Sequence, residues 1–196
     1  FFYSPPALNN DQVLLRYQQA FVRQVLRFTL PYDNVLYCLD NETPVLPDWA
    51  WYWAEFILEE VARNGNRIQL TEMWDAWDLR AAPHMATYLR PDLFSFVEVS
   101  QNNWQSGQTH YDRLLWMRNK LLSSQAGPRP MNNTKVYGSP RPGVDAEPQL
   151  NIDRFWKNIF GGCASIRFHR PNGNYIGGLG LNETAQATIH AARTFT

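Results

Sequence analysis

The sequence predicts an α/β fold built on a parallel sheet, and three observations predict it. Short apolar runs alternate with amphipathic segments along the chain, the pattern of successive βα units. Five of the runs read as strands, each preceded or followed by a helix. The first, Asn34–Glu42, is nearly continuous in apolar residues, as expected of a strand buried on both faces. On this count an open doubly wound sheet and a barrel both fit, and no internal repeat or low-complexity tract points elsewhere.

The elements follow in order. Asn10 and Asp11 offer capping oxygens to a first helix in which Val13, Leu14, Tyr17, Phe21 and Val25 recur at helical spacing, and Pro31 closes it. After the Asn34–Glu42 strand, Pro47 and Asp48 start a second helix. Its stripe of Trp49, Trp53, Phe56, Ile57 and Val61 would cover the sheet, and Gly65 suits the left-handed stop. Arg67–Asp75 reads as the next strand, and a loop holding Trp77, Pro83 and His84 follows. Leu93–Ser100 is a third strand, passing through a Gln-Asn-Asn-Trp loop into a helix from about His110 to Leu122. Met131–Tyr137 is a fourth strand, and a loop rich in Pro and Gly leads to a helix from about Asn151, ended by Gly161-Gly162. Ala164–His169 is the last strand, and Asn182 caps a final helix through Ala185 and Ile189.

The 196 residues suit one domain with a sizeable core. Eighteen basic residues balance eighteen acidic ones, so composition gives no reason to expect nucleic acid or an anionic membrane as partner. Asn and Gln are common and aromatic residues make up 14% of the chain. Rings and neutral amides suit an uncharged, hydroxylated, flat-faced ligand such as a sugar, although most rings in any protein are core. Cys38 and Cys163 lie in apolar runs and read as buried free thiols. No run is long and apolar enough to span a membrane. The chain opens at Phe1 without Met, which leaves the compartment open.

In a barrel, catalytic groups sit at the C-terminal ends of the strands. Here those ends are Asp40-Asn41-Glu42, Glu72 with Trp74 and Asp75, Ser100-Gln101-Asn102-Asn103-Trp104, Lys135 with Tyr137, and His169-Arg170. Five such ends make a coherent polar, aromatic-rimmed bowl. Asn41-Glu42 is the sharpest of them. Glycoside hydrolysis needs a carboxylic acid to protonate the leaving oxygen and a second carboxylate across the sugar. An amide beside the acid can hold a sugar hydroxyl. The bland alternative is a pair that merely begins a solvated loop.

A strand ending in Asn41-Glu42 and followed by a Trp-rich helix resembles the fourth strand of clan A glycoside hydrolases, the cellulase and apiosidase-like group. The resemblance extends through the order of the later strands and implies a (β/α)₈ TIM barrel, of which this chain covers about strands 4 to 8. Residues 1–196 would then be the C-terminal part of a single barrel domain, and a start within a loop fits truncation. It also implies Glu42 as general acid/base, no cofactor, a neutral poly- or oligosaccharide substrate, and a secreted or periplasmic setting. The chain departs from the family at the seventh strand. The family often has Pro-x-x-Asn-x-Glu-x-Tyr-Gly, with the Glu as nucleophile, and Pro130–Gly138 places Lys135 there instead. A lysine cannot form the glycosyl ester of a retaining mechanism.

Alternation puts Asn133, Lys135 and Tyr137 on one strand face and Thr134 and Val136 on the other. The polar set should face inward, along with Ser165, Arg167 and His169, and Lys135 would then need an anion such as Glu98, Glu72 or Asp75. The second carboxylate must come from elsewhere, with Asp75 the preferred base and Glu98 and Glu72 as further candidates. Acids in such positions are more often members of structural ion pairs. Asn41, Trp74, Asn102, Trp104, Lys135, Tyr137, His169 and Arg170 are candidates for substrate binding, with Trp77 a further ring. No His/Cys/Asp cluster has metal-ligand spacing, and no glycine-rich phosphate loop follows a strand. Two other classes compete with a glycosidase: a non-catalytic carbohydrate-binding barrel in which Lys135 replaces the nucleophile, and a barrel enzyme that uses Lys135 as base or Schiff-base amine.

Overall fold

A computed structural model describes residues 3–137, 148–169 and 181–195. The fold is mixed α/β, with six α-helices and five short strands in two small sheets among the described residues. The chain divides into two compact units, Phe1–Asp75 with Ala82–Val97, and Ala76–Ala81 with Glu98–Thr196.

The first unit opens with α1 (Gln12–Thr29). Asp11 caps it as expected, its Oδ1 accepting from the Val13 and Leu14 amides at 3.1 and 3.0 Å. Leu15 and Leu26 are buried, whereas Val13, Tyr17, Phe21 and Phe28 are exposed, Tyr17 by 72% and Phe21 by 70%. The apolar stripe read from the sequence is therefore largely the outer side of the helix, and Leu15, Val22 and Leu26 form its inner side.

Strands β1 (Leu36–Cys38) and β2 (Gln69–Thr71) pair in parallel, Leu36 opposite Gln69 and Cys38 opposite Thr71. The expectation of a first strand buried on both faces does not hold. Leu36 is 55% exposed, and Cys38, which forms no disulfide, is exposed rather than buried. Tyr37 and Leu39 pack on the core, so one face of β1 is covered and the other open, and β2 is its only strand neighbour among the described residues.

Helix α2 (Pro47–Arg63) begins with Pro in its first turn, where the missing amide costs nothing, and ends before Gly65 at φ +73°. It buries Trp49, Ala50, Trp53, Ala54, Phe56, Ile57 and Val61, the face its spacing indicated. Burying a ring such as Trp53 contributes upward of ~2 kcal/mol. The stretch read as a loop around Pro83 and His84 contains a short helix, α3 (Ala82–Tyr88). Seven residues are too few for a periodic signal, and the helix is held by packing of His84, Ala86 and Thr87.

The second unit takes in Glu98 of β3 (Val97–Glu98), a 3-10 helix over Ser100–Trp104, α4 (Gly107–Leu122) and β4 (Met131–Val136). It continues through α5 (Pro148–Phe160), β5 (Cys163–Phe168) and α6 (Glu183–Phe195). The strand order is β3-β4-β5, with β4 and β5 parallel. Helix α4 starts three residues before the expected His110, because its first turn carries no apolar residue to mark it. Val136, Phe155, Phe168, Ala185 and Ala192 form one core cluster, where Phe155 and Phe168 stack at 4.6 Å. Asn182 caps α6 through its Oδ1, which accepts from the Ala185 amide at 2.8 Å.

Strict alternation fails along β4. Asn133 reaches Asn158 of α5 and Val136 packs with Phe155 of the same helix, while Thr134 turns to Glu98 and Ser100. The register with β5 slips between Asn133 and Val136, which displaces the two-residue period. Ser165 and Arg167, expected to face inward, are exposed. No closed barrel is formed among the described residues.

Candidate functional site

The polar strand ends form one set of residues in each unit. In the first, backbone bonds join the segments that leave β1 and β2. Thr43 pairs with Trp74 as an isolated parallel bridge, the Thr43 amide donating to Met73 O and the Asp75 amide to Thr43 O, both at 3.0 Å. Glu42 and Asp75, the residues flanking this bridge, are thereby held at the same end of the β1–β2 pair. Glu42 is half-buried with φ +56°, in the left-handed region that a side chain other than Gly, Asn or Asp rarely occupies. Asn41 and Asp75 are exposed.

Trp74 offers no ring to a ligand. It is 1% exposed, with its indole Nε1 donating to Thr87 Oγ1 at 2.8 Å. Glu72 is fully buried beside it, with Oε1 accepting from the Met73 amide at 2.9 Å. Burial raises its carboxyl to about 8 against the pull of the Met73 amide, and the charge of Asp40 adds to the rise. At neutral pH Glu72 holds its proton.

In the second unit Glu98 is the centre of the polar set. It is buried, and it accepts from the Ser100 amide at 2.6 Å, from the Ser100 hydroxyl and from the Thr134 amide at 3.3 Å. Burial pushes its carboxyl up to about 7; these bonds and the charge of Lys135 pull the other way. Lys135, for which Glu98, Glu72 or Asp75 was the expected partner, is itself buried, and its charge acts on Glu98. The lysine stands near a carboxyl group that is poised between its two protonation states.

Behind Glu98 lies a chain of buried amides. Asn103 Nδ2 donates to Asn133 Oδ1 at 2.9 Å, and Asn133 Nδ2 to Asn158 Oδ1 at 2.8 Å. Asn158 Nδ2 lies 3.1 Å from His110 Nε2, and His110 Nδ1 lies 3.1 Å from Asn102 O. Burial lowers His110 to about 4, so the ring is neutral, donating from Nδ1 and accepting at Nε2. Asn102, singled out for substrate binding, is fully buried, with Nδ2 donating to His110 O at 2.9 Å. It belongs to this internal network.

Trp104 is 56% exposed, with Nε1 donating to Gln101 Oε1 at 3.0 Å. Tyr137 and His169, at the ends of β4 and β5, meet edge to face at 5.2 Å, and the His169 amide donates to Val136 O. Trp77 is 56% exposed beneath the Arg113 guanidinium. Arg170 lies outside the described residues. Among the described residues no group of three or more His, Cys, Asp and Glu is placed to hold a metal ion, and no helix is long and apolar enough to cross a membrane.

Sequence reasoning singled out the strand-end amides Gln101 and Asn103 and the inward-facing Asn133, but passed over His110 and Asn158, which complete the network. The signal was an unusual density of Asn and Gln at one strand end and along the strand beside it; buried amides occur where a network satisfies them. Comparison of the chain with family models, curated proteins and solved structures found no match.

Proposed function

We propose that this chain is part of a (β/α)₈-barrel glycoside hydrolase, carrying about strands 4 to 8, that cleaves O-glycosidic bonds of a neutral oligo- or polysaccharide with Glu42 as general acid/base. One observation carries the reading: Glu42, in the segment beyond the C-terminal end of a parallel strand and next to the Thr43–Trp74 bridge, is held in left-handed backbone. A side chain in that conformation costs ~1 kcal/mol or more, and such strain collects at functional sites. Asp75, exposed at the end of the adjoining strand, is the candidate second carboxylate. An inverting mechanism fits, because Lys135 stands where the resemblance calls for the nucleophile and an inverting pair needs a base and a water instead.

The test is release of reducing sugar from a panel of neutral polysaccharides by the protein and by Glu42→Gln. The expected result is hydrolysis that falls at least ~100-fold in the variant, as for loss of a general acid. Hydrolysis that survives the substitution would remove Glu42 from the reaction. The second reading is a binding barrel without turnover, favoured by the lysine at 135. It predicts polysaccharide binding with no sugar released by either protein.

A further inference from the structure

Within the 3-10 helix Ser100–Trp104, the first four side chains are 0–3% exposed and the fifth is 56% exposed. A short segment that buries Ser, Gln, Asn and Asn while presenting Trp to water reverses the usual preference of these residues. The indole is tethered: its Nε1 donates to Gln101 Oε1, and Gln101 is 3% exposed, so its anchor is part of the interior. With the N–H engaged, what the ring offers outward is a flat apolar surface.

Gln101 also carries a cost. Its Nε2 is buried with no hydrogen-bond partner among the described residues, because the amide is turned to give its oxygen to the indole. An apolar side chain of the same size would escape that cost and lose only the tether.

We infer that Trp104 is a fixed stacking platform for a neutral pyranose ring and that Gln101 is the positioning residue that sets the orientation of its indole. The helix carries no charged side chain, which matches an uncharged ligand. Sugars with equatorial hydroxyls, as in β-1,4-linked glucose and xylose chains, present a flat C–H face that fits an indole. The inference rests on the carbohydrate reading above and names the ring it stacks on; it does not depend on hydrolysis.

The test measures the affinity of the protein for cellohexaose, xylohexaose and mannohexaose by titration calorimetry, with thermal melts in parallel. Trp104→Ala should weaken binding of at least one hexasaccharide by ~10-fold, the upper end of what an aromatic stack supplies. Gln101→Met should weaken it several-fold, with a melting temperature equal to or above that of the parent. Trp104→Phe, which keeps a ring but lacks the tether, should fall between the parent and Trp104→Ala. Unchanged affinity in Trp104→Ala, or no binding of any hexasaccharide by the parent, would overturn the platform. Full affinity in Gln101→Met would overturn the positioning role. Binding that needs Trp104 without any turnover sinks the hydrolase reading and leaves the platform standing. Turnover that needs Glu42 alongside binding indifferent to Trp104 does the reverse.

Discussion

Glu72 and Glu98 keep protons that exposed carboxyl groups would have lost, and His110 refuses one that an exposed imidazole would have gained. Burial drives all three shifts, so each links folding to pH. Glu72 is raised from 4.5 to about 8 and Glu98 from 4.5 to about 7. Between those limits the folded chain holds protons that the unfolded chain releases, and stability falls as pH rises. His110 is lowered from 6.5 to about 4, so over that interval the unfolded chain binds the extra proton and stability rises with pH. The two trends oppose each other up to pH 6.5; beyond it the carboxyl groups act alone. The urea midpoint should therefore decline from pH 6.5 to 8, and Glu72→Gln, a neutral isostere, should remove much of the decline. A parent profile flat over that interval would contradict the assignment. The sequence placed both carboxyl groups at strand ends but gave no sign of their protonation. That depends on how completely distant residues exclude water.

At the scale of elements, the turn between α5 and β5 shows how little slack the second unit has. A Cβ on Gly161 would stand 2.7 Å from Lys157 O and 3.1 Å from Leu114 of α4. Both neighbours are fixed, one as helix backbone and the other as a fully buried side chain. Gly161→Ala should cost ~1–3 kcal/mol, read as a lower urea midpoint with unchanged slope. An unaltered midpoint would mean that the helices part easily there. Most of the strands were legible as short apolar runs bounded by turn residues, α1 and α6 because capping residues stood before periodic stripes, and α2 because Pro47 stood at the start of one. The first turn of α4, helix α3 and the slip along β4 were not. A seven-residue helix has too few turns to show a period, and the slip along β4 lies beside a contact of Asn133 with Asn158, residues 25 positions apart, that no local pattern announces.

Across the whole molecule the distribution of apolar surface is uneven. Val13, Tyr17, Phe21 and Phe28 of α1 are exposed, as is Leu36 on β1, which has a strand on one edge only among the described residues. Exposed apolar rows and unpaired strand edges both favour association between chains. In sedimentation velocity the chain should associate increasingly with concentration, and Tyr17→Glu with Phe21→Lys should suppress this. A parent that remains monomeric at every concentration would count against it. Helical spacing announced the stripe on α1 without saying which side faced inward. Two apolar rows run along that helix, and only packing against α2 decides between them.

The left-handed backbone at Glu42 sets stability against chemistry at a single position. Glycine would relieve the strain and asparagine would reduce it, yet neither brings a carboxyl group. In a library randomised at codon 42, sorting for thermal resistance alone should enrich those two residues, whereas sorting for a reaction that needs the acid should return Glu. The two selections would diverge at that codon, and the divergence would measure how much stability the chain forgoes to keep an acid there.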